Sequence, residues 1–235
     1  MRLLESEALV VRTVEYGESD VVATLVTEQF GKLGVVVRGG RKASRRIGGA
    51  LEPVHTVSVA FEDKGQDLST LKEARIVRLR DNVVSNLEAL DAAGVALRWA
   101  RHLFPPRARE PQGWRVLIHL LDGLDAGTAE AGSPSAQLAH AGIAMLAAVG
   151  YALDFARCVA CGRPCPEEKA ACVDPARGGL VCRSCGGATS VLAPDERQAA
   201  FALASGRTGE HDDRSAQAVL RIVDRAMAAH AGFER

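Results

Sequence analysis

Aromatic side chains are scarce in this 235-residue chain: they make up 4%, and Tyr16, Phe30 and Phe61 are the only ones before Trp99. A surface that holds single strands by stacking bases needs a platform of such rings, so strand binding of that kind is disfavoured from the start. Net charge of either sign is also missing, with 29 Lys and Arg against 29 Asp and Glu. No apolar run approaches the length of a membrane span, and Met1-Arg2-Leu3-Leu4-Glu5-Ser6-Glu7 has no long apolar run behind a basic start, so no secretory signal is expected. The expectation is a cytoplasmic protein with no membrane partner, in a compartment where thiols stay reduced. No Gly-Lys-Ser/Thr ends a glycine-rich loop, which removes the P-loop, and no His-x-Glu occurs, which removes the zinc deaminases. The histidines, His55, His102, His119, His140, His211 and His230, are scattered and suggest no ligand set.

What is present is enough apolar material for a core: 47% hydrophobic residues and a mean hydropathy of +0.01. The first eighty residues read as strands. Ala8–Val14, Val21–Thr27, Leu33–Arg38, His55–Phe61 and Leu71–Leu79 are rich in β-branched and aliphatic residues, with turns such as Tyr16-Gly17-Glu18-Ser19-Asp20 and Phe30-Gly31-Lys32 between most of them. Five short strands at this spacing suit a small closed barrel of the OB type, with an SH3-like barrel as the alternative.

Near residue 81 the period changes to that of helices. Ser85-Asn86-Leu87-Glu88 has capping-box spacing, Leu87, Leu90, Gly94, Leu97 and Arg101 mark a face, and Pro105-Pro106 ends it. Further helices are expected from Pro111 to Gly127, from Ser133-Pro134 to Gly150, over Pro194–Ala204 and over Arg214–Ala231. The expected fold class is therefore α+β multidomain. A five-stranded OB-type barrel (residues 1–80) precedes an α-helical domain (81–235) with a cysteine module inserted at about 155–191.

That module carries Cys158-Val159-Ala160-Cys161-Gly162 and Cys182-Arg183-Ser184-Cys185-Gly186, with 20 residues between the two pairs. Cysteines two residues apart on a tight turn aim both sulfurs at one point, and a following glycine permits positive φ. Cys158, Cys161, Cys182 and Cys185 are the expected ligands of one structural Zn²⁺. Four thiolates close the tetrahedral shell and leave no place for a reactive water. Cys165 and Cys172 lie outside the pairs, and a swapped ligand or a redox disulfide stands as the alternative. The stretch between the pairs contains Pro164, Pro166, Pro175, Gly178 and Gly179. It reads as too irregular to build a core, so metal is the expected source of its order.

Charge is unevenly spread. From Gln29 to Leu51 there is no acid, while Lys32, Arg38, Arg41, Lys42, Arg45 and Arg46 all fall there. Val37 to Gly49 leaves a strand into a glycine-rich loop, where the backbone approaches closely and arginines supply paired donors for phosphate oxygens. This suits a polyanion backbone, with phosphate contacts that are salt-sensitive and weakly sequence-selective. A second cluster, Arg98, Arg101, Arg107, Arg109 and Arg115, contains Glu110 as its sole acid. It extends such a track, receives an acidic peptide, or pairs with carboxylates such as Asp122 and Asp125.

Taken in order, these residues resemble the RecO family of bacterial recombination mediators in DNA repair. The likeness runs through Ala8-Leu9-Val10-Val11-Arg12-Thr13, Tyr16-Gly17-Glu18-Ser19-Asp20 and Thr27-Glu28-Gln29-Phe30-Gly31-Lys32. It is strongest from Arg38-Gly39-Gly40-Arg41-Lys42 to Gly48-Gly49-Ala50-Leu51-Glu52-Pro53, and returns at Gly150-Tyr151-Ala152-Leu153-Asp154 leading into the first cysteine pair. The resemblance implies an OB domain, a helical domain and a zinc module. It also implies binding of single- and double-stranded DNA, annealing of complementary strands, and partnership with RecR and single-strand-binding protein in loading RecA. Arg38 stands where the family often has lysine, and some members lack the cysteines. The implied protein is a non-enzymatic, nucleoid-associated DNA binder. A zinc-dependent nuclease or hydrolase is one competing reading, and an RNA-binding OB protein is another.

Overall fold

The computed structural model describes residues 2–40, 47–166 and 168–232. Its internal contacts divide the chain into two compact units, residues 1–121 and 122–235, with the division inside one helix.

In the first unit, β1 (Arg2–Tyr16), β2 (Asp20–Thr27), β3 (Gly31–Val37), β4 (Thr56–Asp63) and β5 (Leu68–Arg78) form a closed barrel in the order β1-β2-β3-β5-β4. This is the expected five-stranded OB-type barrel, and its closure depends on the length of β1. Residues Arg2–Leu9 pair with β4, Ala8–Tyr16 pair with β2, and the register slips between Val10 and Arg12. A bulge of this kind bends a strand so that one chain can serve two neighbours. A short parallel pairing of Gly34–Val36 with Leu68–Thr70 seals the barrel. Alternation then fills the interior: Val10, Leu25, Leu33, Val35, Val37, Val57, Val59 and Phe61 are all buried in one core. Phe30 packs edge-on against Phe61 at 5.6 Å. Two of the three early aromatics are thus spent on the barrel, while Tyr16 is exposed.

The turn into β3 fixes how the rest of this unit attaches. Gly31 has φ +68°, and a Cβ placed there would lie 1.9 Å from the carbonyl oxygen of Ala108. Thr27 Oγ1 donates to Gly31 O at 2.8 Å and accepts from the Phe30 amide at 3.0 Å. Only glycine satisfies both the conformation and the close approach of the second backbone.

Two helices follow the barrel, α1 (Asp81–Ser85) and α2 (Leu87–Leu103). The cap of α2 is Asn86, whose side chain accepts from the Ala89 amide at 3.1 Å, rather than the expected Ser85. The buried face also differs from the expected one. Ala89, Ala92, Ala93, Ala96, Leu97, Trp99 and Ala100 point inward, and Leu87 is 81% exposed. Small side chains let α2 approach β1 and β2 closely, and that contact sets the rotation of the helix. α3 spans Pro111–Ala126.

In the second unit, α4 (Pro134–Ala148), α5 (Pro194–Ala204) and α6 (Asp213–Ala231) pack on one another. Ser133 and Asp212 cap α4 and α6 through the Ala136 and Ser215 amides. Between α4 and α5 the chain forms a four-stranded sheet of order β6-β8-β7-β9, from β6 (Asp154–Cys158), β7 (Ala171–Asp174), β8 (Gly179–Leu180) and β9 (Ser190–Leu192). The expectation that this stretch builds no core is corrected. Within the stretch between the cysteine pairs Val173, Leu180 and Val181 are buried, as are Phe155 and Leu192 on its flanks, although each strand is too short for a period-2 pattern to reveal it.

Candidate nucleic-acid interface and metal centre

The basic loop leaves the barrel at a fixed point. Arg38 is exposed just past β3. Gly39 follows with φ +65°, its amide donating to Asp20 Oδ1 at 2.8 Å, and the Gly40 amide returns to Val37 O at 3.2 Å. Beyond the loop, Ile47 and Leu51 pack on the barrel core and Ala50 enters it. Arg41, Lys42, Arg45 and Arg46, which were expected to carry most of the first basic surface, lie outside the described residues.

The remaining expected contacts divide into those at the surface and those used internally. Lys32 is half-buried, and its ammonium donates to the carbonyl of Arg101 in the last turn of α2. It therefore satisfies a helix-end carbonyl that has no partner within the helix. Burial, and then the neighbouring Arg101, lowers its pKa. Arg107, with φ +55°, donates its amide to Lys32 O at 2.8 Å. Its guanidinium meets Asp63 Oδ2 at 3.0 Å and also the carbonyl of Gln66. Hydrogen bonds from the Gly65 amide and then from Arg107 hold the Asp63 carboxyl below its ordinary pKa. Arg98, Arg109 and Arg115 are exposed, and Arg115 Nε donates to its own helix at Pro111 O, 3.2 Å away.

One cluster was not legible in the chain. The guanidinium of Arg101 donates to His102 Nε2 at 2.8 Å. Burial, then Arg12 and Arg98, lowers the pKa of Arg101. Burial, then Arg101, Lys32, Arg98 and Arg12, lowers that of His102. Arg12 on β1, Lys32 on β3 and the cations of α2 thus act on this helix end. Arg12 and His102 escaped sequence reasoning because nothing in their spacing links the second half of β1 to a helix nearly ninety residues later.

The four paired cysteines come together as expected: the Sγ atoms of Cys158, Cys161, Cys182 and Cys185 all lie within 4.8 Å of one another. Cys161 and Cys182 are 3.9 Å apart, and a tetrahedron of Zn–S bonds has edges of about 3.8 Å. Each pair sits on a turn closed by backbone. Gly162 N donates to Cys158 O at 2.8 Å and Gly187 N to Cys182 O at 3.1 Å, with Gly162 at φ +71° and Gly186 at +100°. The Cys182 amide donates to Cys158 Sγ at 3.3 Å. That bond, with the Ala160 and Cys161 amides, brings the Cys158 thiol down to about 6. Hydrogen bonds with Cys182 and Cys161 push Cys185 up to about 12. The backbone prepares the Cys158 thiolate, and Cys185 needs a cation to give up its proton. The donor set fits a soft or borderline metal ion held by four sulfurs. Arg197, wholly buried on α5, holds the module from behind. It donates to the carbonyls of Phe155 and Cys165 at 3.1 Å each, to Lys169 at 2.8 Å, and to Pro166.

Among the described residues, no helix is long and apolar enough to cross a membrane. Comparison with known proteins covers nearly the whole chain. The family described as "Recombination protein O N terminal" matches residues 1–80, and "Recombination protein O C terminal" matches residues 84–235. The "DNA repair protein RecO" of Geobacter metallireducens is 30% identical over 233 residues, 98% of this chain and 93% of that protein. The proteins of the same name from Anaeromyxobacter sp. (strain Fw109-5) and Geobacter sulfurreducens are 35% and 36% identical. Those matches span 81% and 79% of this chain and 73% and 74% of the relatives. The chain belongs to the RecO family, whose curated relatives are DNA repair proteins.

Proposed function

We propose that this protein is a non-enzymatic recombination mediator that binds single- and double-stranded DNA through phosphates and brings complementary strands together. The observation that carries the reading is the family match across both halves of the chain. The physical account is charge neutralisation. Two strands repel through their phosphates, and a protein that covers phosphates on both lowers that barrier without consuming a fuel. The basic loop, Arg38, Arg41, Lys42, Arg45 and Arg46, is the first surface. The exposed arginines Arg98, Arg109 and Arg115, with Arg101, are the second. Internal bonding of Lys32 and Arg107 supports a bracing role for those two. RecR and single-strand-binding protein are the proposed partners, with RecA loading as the outcome, and the cytoplasmic nucleoid is the proposed location. One Zn²⁺ held by Cys158, Cys161, Cys182 and Cys185 would supply cross-linking of two turns. Four sulfurs complete its shell, which favours this over hydrolytic chemistry.

The test is strand annealing of complementary oligonucleotides, with and without single-strand-binding protein, using wild type and Arg41→Glu/Lys42→Glu. The double variant should anneal more slowly and bind DNA with a shallower salt dependence. Unchanged binding at both low and high salt would remove the loop assignment. Cleavage of the strands by freshly purified protein, abolished by chelator, would favour a hydrolase. Preference for RNA of matched sequence would favour the RNA-binding reading.

A further inference from the structure

In the first unit, three elements bring cations to one place. The bulge after Val10 sets Arg12 on the second half of β1, and α2 packs against β1 and β2. Arg98 and Arg101 occupy the last turns of that helix, with His102 beside them. Lys32 reaches the same helix end from β3 but is committed to the Arg101 carbonyl. Among the described residues, no carboxylate forms an ion pair with Arg12, Arg98 or Arg101. The sole side-chain partner of the Arg101 guanidinium among them is the His102 ring.

Register sets Lys32 opposite Val26 on β2 and Val26 opposite Leu9 on β1, so the bond from Lys32 to the Arg101 carbonyl brings the end of α2 near the middle of β1, beside the bulge that precedes Arg12. Like charges held together without an acid cost folding energy, and burial, then Arg12 and Arg98, disfavours the protonated form of Arg101. The end of a helix offsets part of that cost, because its free carbonyls favour cations. An anion placed among these groups would offset the remainder. Guanidinium groups are suited to this, since each presents paired donors to phosphate oxygens and cannot escape by losing its proton. Arg12 and Arg98 are exposed, so the site opens to solvent and admits a chain rather than a small enclosed ion.

We infer that Arg12, Arg98 and Arg101 form a phosphate seat for a polynucleotide backbone, built jointly by β1 and the last turns of α2. The inference rests on the DNA-binding reading above and extends it by a residue, Arg12, from the opposite end of the first unit's sequence. The seat is separate along the chain from the loop after β3, so loss of one leaves the other in place.

The experiment measures the affinity of a mixed-sequence single-stranded oligonucleotide across a series of salt concentrations. It compares wild type, Arg12→Gln, Arg12→Gln/Arg98→Gln and Arg75→Gln, the last an exposed cation on β5, which pairs with β3 and β4 and not with β1. Each lost phosphate contact should lower the slope of log affinity against log salt by about 0.7. Arg12→Gln should therefore flatten the slope once and weaken binding several-fold at low salt, and the double variant should do both further. Circular dichroism and the melting temperature check that each variant is folded. Wild-type slope and affinity in a folded Arg12→Gln, or an equal loss in Arg75→Gln, would overturn the seat while leaving the DNA-binding reading standing. Failure of the wild type itself to bind at low salt would instead overturn that reading, and the seat with it.

Discussion

The guanidinium of Arg197 donates to the main-chain carbonyl of Phe155 at 3.1 Å, across 42 residues of sequence. The same side chain reaches the carbonyls of Cys165, Pro166 and Lys169 and has no exposure to solvent. One arginine on α5 thus supplies donors to four carbonyls on the first cysteine strand and the stretch after it. The buried Phe155 carbonyl and three part-buried ones after it are satisfied by a single charged fork. Arg197→Ala should destabilise the protein by about 3 kcal/mol, since several of those carbonyls lose their donor together. Urea unfolding of the metal-loaded protein measures it, and Arg197→Lys should recover little because ammonium lacks the planar geometry. A loss below ~1 kcal/mol for Arg197→Ala would show that the module is held by the metal alone.

Gly31→Ala is expected to cost about 2–3 kcal/mol, from overpacking against the Ala108 backbone. The positive φ at this position adds strain that a side chain rarely tolerates. Thermal melting reports it, and a variant with wild-type stability would mean that residues near Ala108 move freely off the turn.

Purified protein should carry one equivalent of zinc, and Cys161→Ser/Cys185→Ser should lose it together with part of the thermal stability. DNA affinity of the folded fraction should persist. Metal uptake by the stripped protein should release protons, because Cys185 keeps its proton until a cation displaces it. Affinity for the metal should accordingly fall as pH drops. A colorimetric metal assay and plasma emission spectroscopy give the stoichiometry. A variant that stays soluble and helical but loses DNA binding alone would contradict a purely structural role.

His102 should report the filling of the seat. Burial and the cations Arg101, Lys32, Arg98 and Arg12 hold its pKa below the ordinary 6.5 when no anion is present. The unfolded chain therefore takes up this proton at higher pH than the folded one, and folding loses stability as pH falls below 6.5. A bound phosphate opposes the surrounding positive charge and raises the folded pKa, so binding should take up a proton and tighten between pH 7.5 and 6. Calorimetry at pH 6 in two buffers of different ionisation enthalpy measures that uptake. His102→Gln should remove the part of it that belongs to this ring, and an uptake unchanged in His102→Gln would assign the proton elsewhere.

Much of the architecture was legible because it depends on local pattern. Alternation and turn residues marked five strands whose cores match the observed ones, and Pro194–Ala204 is a helix as expected because proline opens it and the Glu196 carboxylate accepts from the Ala193 amide at 2.8 Å. The phase of α2 was misread toward Leu87 and Leu90, since leucine outweighs alanine in any hydrophobic reading. Burial there is decided instead by how closely the helix approaches β1 and β2. The small sheet was missed because strands of two to five residues carry too few positions to show a period.

Sequence alone marked the four cysteines that converge, because two CxxCG turns impose their own geometry over five residues and need only be brought together. It also determined that a basic, acid-free stretch follows a strand. Only tertiary structure decided what individual cations do. Lys32 and Arg107 look like their neighbours in the chain but are bonded within the first unit, Lys32 half-buried on the Arg101 carbonyl and Arg107 at the surface on Asp63, whereas Arg12 on β1 acts on Arg101 of α2. A charge acts through distance in space, which pairing register and helix docking set, and a linear spacing holds no record of it. The scarcity of aromatics gains its meaning in the same way: with Phe30 and Phe61 packed together in the barrel, Tyr16 is the exposed ring among those first three, and charge is left to carry the surface.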